Sequence, residues 1–368
     1  MIKIYEPFLA DGTLDYAHDA LKSTWISSQG EYIKKATDSL NQFLQTENST
    51  LVSNGTVATH SLFRLVKKTF PNIKNIIVPN NVYVAAWNSI LLESSDYNLV
   101  SVDCDLQTWN YDLQELYDCL GEMPIEATAL FVVHNVGNII NVPKIQRDFP
   151  DLVIVEDNCE GFTGFYEGRP SGTECFASSI SFFANKNLTA GEGGAVITKY
   201  AKDSQFIKRF INQGNTQTRF VHDIVAQNYR MTNIHAAILY GQLQKSQQIL
   251  SLKERVFDYY REILSENEHV VFQQPEANTV RSNWMFGVRL KNGNFKELSS
   301  FLQKNQIETR PMFYCYEKHN HLKDIIRPFR NNNNAKKLNN SAIILPSSPT
   351  LDRQKIYKIS NLINAFFG

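Results

Sequence analysis

The sequence lacks the features that mark several large classes of protein. Its five cysteines (Cys104, Cys119, Cys159, Cys175 and Cys315) form no CxxC pair and sit at no metal-ligand spacing with histidine, which argues against a zinc site or a disulfide framework. Their odd number and scatter fit a reducing compartment, where free cysteine behaves as a small buried hydrophobe. Excess charge is missing too. The 37 Lys+Arg balance 37 Asp+Glu, and with no basic stripe there is no footprint for nucleic acid. No apolar run reaches the length of a membrane span, and the start Met1-Ile-Lys-Ile-Tyr-Glu-Pro7 lacks the basic-then-apolar pattern of a secretory signal. These absences predict a soluble, cytoplasmic protein with neither nucleic acid nor membrane among its partners.

What is present is an ordinary globular composition, 43% hydrophobic and 12% aromatic, in a chain of 368 residues, long enough to expect two domains. Seven short runs between about residues 50 and 200 read as strands: Thr50–Ser53, Ile76–Val78, Leu99–Val102, Ala129–Val133, Leu152–Val155, Ser179–Phe183 and Ala195–Thr198. Most show little alternation, as strands buried on both faces do. Helical patterns separate the early ones; in Val57–Lys68, for example, Leu62, Leu65 and Val66 recur at i, i+3 and i+4. This order predicts an α/β fold with a seven-stranded, mostly parallel sheet flanked by helices. The last two strands are joined by a glycine turn too short for a helix, so one of them should run antiparallel. A long helical segment from Thr232 to about Leu264 follows. Beyond it, short strands and helices (Val270–Phe272, Trp284–Leu290, Phe295–Lys304, Glu308–Arg310, Arg353–Phe366) suggest a smaller α+β domain. The expected division is a large domain over 1–240, with an N-terminal helical segment, and a small one over 241–368. Asn331-Asn-Asn-Asn334 reads as a polar surface loop.

Several strand ends carry chemistry. Leu51-Val-Ser-Asn-Gly-Thr-Val-Ala58 runs from strand through tight turn into helix, where free amides and a glycine make an anion site. It lacks both the GxGxxG fingerprint and the Walker lysine, which disfavours a nicotinamide or ATP role. Val153-Ile-Val-Glu-Asp-Asn-Cys-Glu160 ends a buried strand in three carboxylates, the kind of group that can pair with a cationic ring nitrogen or equally cap a helix. His134 ends another strand, and Tyr83 and Trp87 follow a third, where an aromatic can stack on a planar ligand or join the core. Ile180–Phe183 delivers Lys186 into a glycine-rich turn, a position from which an amine can form a Schiff base with an aldehyde cofactor. All of these fall on one expected edge of one sheet. An anion cradle, an aromatic platform, a carboxylate and a lysine are the parts needed to hold pyridoxal phosphate.

Nine segments occur in one order: Trp25–Tyr32, Ser53-Asn-Gly-Thr56, Val102-Asp103, Val133-His134, Glu156-Asp157, Ser181–Lys186, Gly191-Glu-Gly-Gly194, Asn228–Thr232 and Glu308-Thr-Arg-Pro311. The series resembles the DegT/DnrJ nucleotide-sugar aminotransferases, fold-type-I pyridoxal-phosphate enzymes, over nearly the whole chain. The resemblance implies that Lys186 carries the cofactor and shuttles protons, and that Asp157 keeps the pyridine nitrogen protonated. Glu160 would lie near the ring hydroxyl and Tyr83 would stack. Gly55, Thr56 and Ser181 would bind the phosphate. Asn228 would reach the phosphate of a neighbouring subunit's cofactor, which implies a homodimer with shared active sites. L-glutamate is the implied donor, cycling the cofactor through pyridoxamine phosphate, and a nucleotide-linked keto-sugar the acceptor.

Lys22-Ser-Thr-Trp-Ile-Ser-Ser28 most resembles enzymes that aminate C4 of 4-keto-6-deoxyhexoses, the perosamine- and viosamine-forming group. A 3-aminotransferase, another pyridoxal-phosphate reaction such as carbon–sulfur lysis, and a non-catalytic protein on the same fold stand as alternatives. Whether the nucleotide is UDP, dTDP or GDP is not legible in the residues. Tyr5, Arg310, Tyr316, His319 and His321 are candidates for sugar or nucleotide contacts.

Overall fold

Each of the seven apolar runs forms a strand in the computed structural model, which describes residues 1–368. The strands are Ser49–Val52, Asn75–Pro79, Asn98–Val102, Thr128–Val133, Val153–Asp157, Ala177–Ser181 and Gly194–Thr198. They stay buried because both faces of the sheet are covered. Ile76, Val78, Phe131 and Val155 pack in one core with the helix Gly55–Thr69, while Ile77, Leu130, Val132 and Ile154 pack in another with Leu113–Glu122 and Val142–Asp148. Gly194–Thr198 runs antiparallel to both of its neighbours, and the rest of the sheet is parallel. The turn before it needs glycine. Gly191 sits at φ 82° and Gly193 at φ 154°, and a Cβ on Gly194 would come within 2.5 Å of the Asn54 carbonyl oxygen.

An eighth strand, Ile326–Pro328, extends the sheet alongside Asn98–Val102. The sequence carries no sign of it. Three residues with an arginine and a proline have no strand period, and proline is tolerated there because the strand lies at the edge. The C-terminal half otherwise builds its own antiparallel sheet in the order Val270–Phe272, Phe286–Leu290, Ala342–Leu345 and Arg310–Pro311. That sheet shares a separate core with the helices Ser246–Leu264, Phe295–Lys304 and Arg353–Phe367.

Two local expectations change. The long helical segment is two helices, Asn233–Gln244 and Ser246–Leu264, broken at Lys245, whose ψ of 15° leaves the helical range. The first packs with the N-terminal helices Thr13–Lys22 and Glu31–Leu44, and the second with the smaller sheet. The asparagine run is not a surface loop. Asn333 and Asn334 begin the helix Asn333–Ser341, and Asn332 is buried, donating to the Tyr316 hydroxyl and to Glu317. The buried Asp103 carboxylate accepts the amides of Asn334 and Ala335 and the Asn80 side-chain amide. Asp103 thus serves as a helix cap in trans, fixing the C-terminal half onto the large sheet.

The chain's first residues cross both units. Ile2 bridges Ile307, Ile4 N–H donates to Glu308, and the Ile4 carbonyl accepts from Ser347 N–H. The strap then reaches the lysine turn at Tyr5.

Candidate active site

A cavity of about 540 Å3 opens at the carboxyl ends of the parallel strands, where an open α/β sheet binds its ligands. The helix Gly55–Thr69 points its N-terminus at it. Asn54 caps that helix by accepting Val57 N–H at 3.0 Å, and the first intrahelical bond begins at Ala58 N–H. The Gly55 and Thr56 amides precede that first bond, and both residues line the cavity. Gly55 must lack a side chain, since a Cβ there would meet the Ser181 Cβ at 2.7 Å and the Cys159 sulfur at 3.1 Å. With the Ser181 hydroxyl alongside, these groups form a donor-rich cradle suited to a phosphate.

Opposite polarity lines the same cavity. Asp157 terminates the Val153–Asp157 strand and lines the cavity; its Oδ1 accepts Cys159 N–H at 3.0 Å, and its Oδ2 has no protein partner. Glu160 is buried beside it and accepts Val136 N–H at 2.7 Å. Burial pushes the Glu160 carboxyl up to about 7, with Asp157 adding to the rise while Lys186 and the Val136 amide oppose it. Val136 holds that amide in place at φ 57°, a left-handed conformation costly for a β-branched residue. Desolvation pushes the Cys159 thiol well above its usual range, which keeps it protonated and unreactive.

Lys186 lines the same cavity from the turn after Ala177–Ser181, with its Nζ 3.9 Å from the centroid of the Trp284 ring. Tyr83, well exposed, stands at the mouth with its ring centroid 6.0 Å from that of Phe313. Gly55, Thr56, Tyr83, Asp157, Glu160, Ser181 and Lys186 therefore line one cavity. Asn228 does not. It lies exposed on the segment between the helices Ala201–Phe210 and Asn233–Gln244, outside the cavity of its own chain.

The remaining candidates separate. Arg310 lines the cavity, with no ion pair of its own. Tyr316 is core, Trp87 is core with its indole N–H on the Pro79 carbonyl, and His321 bonds Asn88. His134 and Glu156, both fully buried, pair at 2.7 Å away from the cavity. Trp284, Asn185 and Phe313 also line the cavity; none is a site candidate from the sequence, although Asn185 falls in the Ser181–Lys186 segment and Trp284 in the expected strand Trp284–Leu290. Trp284 and Phe313 come from far along the chain and nothing local links them to Lys186; Asn185, directly before the lysine, is legible from that adjacency alone.

A model of the DegT/DnrJ/EryC1/StrS aminotransferase family matches residues 9–364. The chain belongs to this family. Among its relatives, the GDP-perosamine synthase of Escherichia coli O157:H7 is 30% identical across 100% of this chain and 99% of its own. The GDP-perosamine synthase of Vibrio cholerae is 31% identical over the full length of both. Solved structures share the fold at lower identity. A GDP-4-keto-6-deoxymannose-3-dehydratase variant with bound GDP-perosamine superposes with a TM-score of 0.91 at 19% identity, covering 99% of this chain and 100% of its own. The Helicobacter pylori aminotransferase PseC gives 0.90 at 20%, covering 99% and 98%.

Proposed function

We propose that this member of the family transfers an amino group from L-glutamate to C4 of a GDP-linked 4-keto-6-deoxyhexose, giving the nucleotide 4-amino-4,6-dideoxyhexose and 2-oxoglutarate. The observation that carries it is the joint lining of one cavity by Lys186, Asp157 and the cradle residues Gly55, Thr56 and Ser181. Two full-length relatives named for GDP-perosamine synthesis support the C4 position and the guanine nucleotide.

Pyridoxal phosphate fits this donor set, and when bound it supplies an aldehyde for attachment to an amine and an electron-withdrawing ring that acidifies the adjoining C–H. The Gly55 and Thr56 amides and the Ser181 hydroxyl would hold its phosphate. The Asp157 Oδ2 would hold a proton at the ring nitrogen, and Tyr83 would cover one ring face. Glu160 would sit by the ring hydroxyl. Lys186 Nζ would be the amine that holds the cofactor's aldehyde and, when free, would take and return a proton as general base and acid. Asn228, exposed on its own chain, would complete the cradle of a second subunit in a homodimer.

The test begins with L-glutamate added to the loaded protein, which should convert the cofactor's absorbance to that of the pyridoxamine form. Absence of that change sinks the amination reading. A panel of GDP-, UDP- and dTDP-linked 4-keto-6-deoxyhexoses, read by product mass, then identifies the nucleotide.

A further inference from the structure

Lys253 is fully buried in the helix Ser246–Leu264 and has no carboxylate partner. Burial pushes its ammonium well below the ordinary lysine range. An apolar side chain of that length would fill the space without the desolvation cost. What the amine adds is a pair of donated hydrogen bonds, one to the Trp284 carbonyl at 2.7 Å and one to the Ser347 carbonyl, with its Nζ also 5.1 Å from the centroid of the Tyr5 ring.

Those partners converge on the turn that carries Lys186. The Trp284 indole N–H donates to the Asn185 carbonyl at 3.0 Å, and its ring lies under Lys186 Nζ. The Tyr5 hydroxyl donates to the Lys186 carbonyl at 3.4 Å. The two carbonyls flanking the Lys186 side chain's attachment are thus held by two aromatic residues, each touching Lys253. Asn187 strengthens the junction by donating to the Ser282 carbonyl at 2.5 Å.

We propose that Lys253 is a positioning residue for Lys186, acting through Trp284 and Tyr5 to fix the lysine turn against both the N-terminal strap and the C-terminal sheet. The inference rests on Lys186 being the cofactor-binding amine. Lys253 touches no reacting atom, so its effect is on where Nζ stands, and misplacement on the ångström scale is enough to slow chemistry by up to about 100-fold.

The experiment compares wild type with Lys253→Met, Trp284→Phe and Tyr5→Phe, each loaded with pyridoxal phosphate. Four quantities are read: the visible circular dichroism of the bound cofactor, its rate of release into buffer, the rate of the glutamate half-reaction, and the KM for the nucleotide sugar in the full reaction. Borohydride labelling of Lys186 in wild type comes first, and its absence overturns the reading of the site together with this inference. With that label in place, Lys253→Met should reduce the dichroism about two-fold or more and slow the half-reaction about ten-fold, with the KM for the nucleotide sugar unchanged. Trp284→Phe, which leaves the Lys253 hydrogen bonds intact, should give the same signature, and Tyr5→Phe a weaker one. The Lys253→Met/Trp284→Phe pair should be less than multiplicative, as residues acting in series are. A Lys253→Met protein with a lower melting temperature but wild-type dichroism and half-reaction rate would reduce Lys253 to a structural role. If Lys253→Met does not fold, an unaltered signal in Trp284→Phe overturns the proposal by itself.

Discussion

Glu156 and Asp157 are adjacent on one strand, both buried, both carboxylates, and they face opposite sides of the sheet. On one side Glu156 meets His134 Nε2 at 2.7 Å and the Tyr166 hydroxyl at 3.2 Å. His134 Nδ1 accepts Ile140 N–H, so the ring is neutral at that nitrogen and its Nε2–H is the donor to Glu156. Every strong donor there is consumed within the chain. On the other side Asp157 spends one oxygen on Cys159 N–H and leaves the second free at a cavity shared with Lys186. A buried His–carboxylate pair therefore marks a finished structural joint, whereas the functional carboxylate is the one with capacity left over.

Breaking the cavity side should cost activity and little stability. Lys186→Ala removes both the covalent attachment and the proton shuttle, and turnover should fall by about 10⁴-fold or more. Borohydride should then leave no cofactor on the peptide around residue 186. Asp157→Asn keeps the shape but removes the charge that holds the ring proton, and should lower kcat on the order of 100-fold. A wild-type rate in Asp157→Asn, measured with saturating cofactor, would refute that role.

Breaking the opposite side should do the reverse. Glu156→Leu strands the His134 Nε2–H and the Tyr166 hydroxyl, and each unpaired buried donor costs about 1–3 kcal/mol, so unfolding stability should drop by about 3 kcal/mol. Turnover per folded molecule should stay at wild type, as judged by urea unfolding alongside the assay. The same contrast explains what the sequence discloses. Gly55, Asp157, Ser181 and Lys186 are legible because each stands at or just past the end of a strand (Ser181 and Lys186 share one), within a few residues of the pattern that defines it. The strand alternation that turns Glu156 from the cavity is also present, yet a run of Val, Ile and carboxylates does not say which face holds the ligand. Trp284, Tyr5 and Lys253 are invisible as a group, since they are joined only by long-range contacts (Tyr5 and Lys186 are 181 residues apart). Ile326–Pro328 and Asn331–Asn334 depart from expectation for a related reason: the edge of a sheet and a cap supplied by Asp103 give those segments an order that their own composition does not encode.

Glu160 stands between the two cases, buried and hydrogen-bonded like Glu156 but lining the cavity like Asp157. Its carboxyl is raised by burial from 4.5 to about 7, so between those values the folded protein holds a proton that the unfolded chain has released. Stability must therefore fall as pH climbs through that window: the penalty is absent below about pH 4.5, grows up to about 7, and is constant beyond. Its full size is on the order of 3 kcal/mol, because each tenfold weakening of the acid costs about 1.4 kcal/mol. Glu160→Gln keeps an acceptor for Val136 N–H and carries no charge to desolvate. The cofactor-free variant should be more stable than wild type at pH 8 by up to that amount, and indistinguishable from it near pH 4.5. Melting curves of both proteins at the two pH values check this. A stability difference that does not change with pH would mean that folding leaves the Glu160 carboxyl where it lies in the unfolded chain, and would refute the effect of its burial.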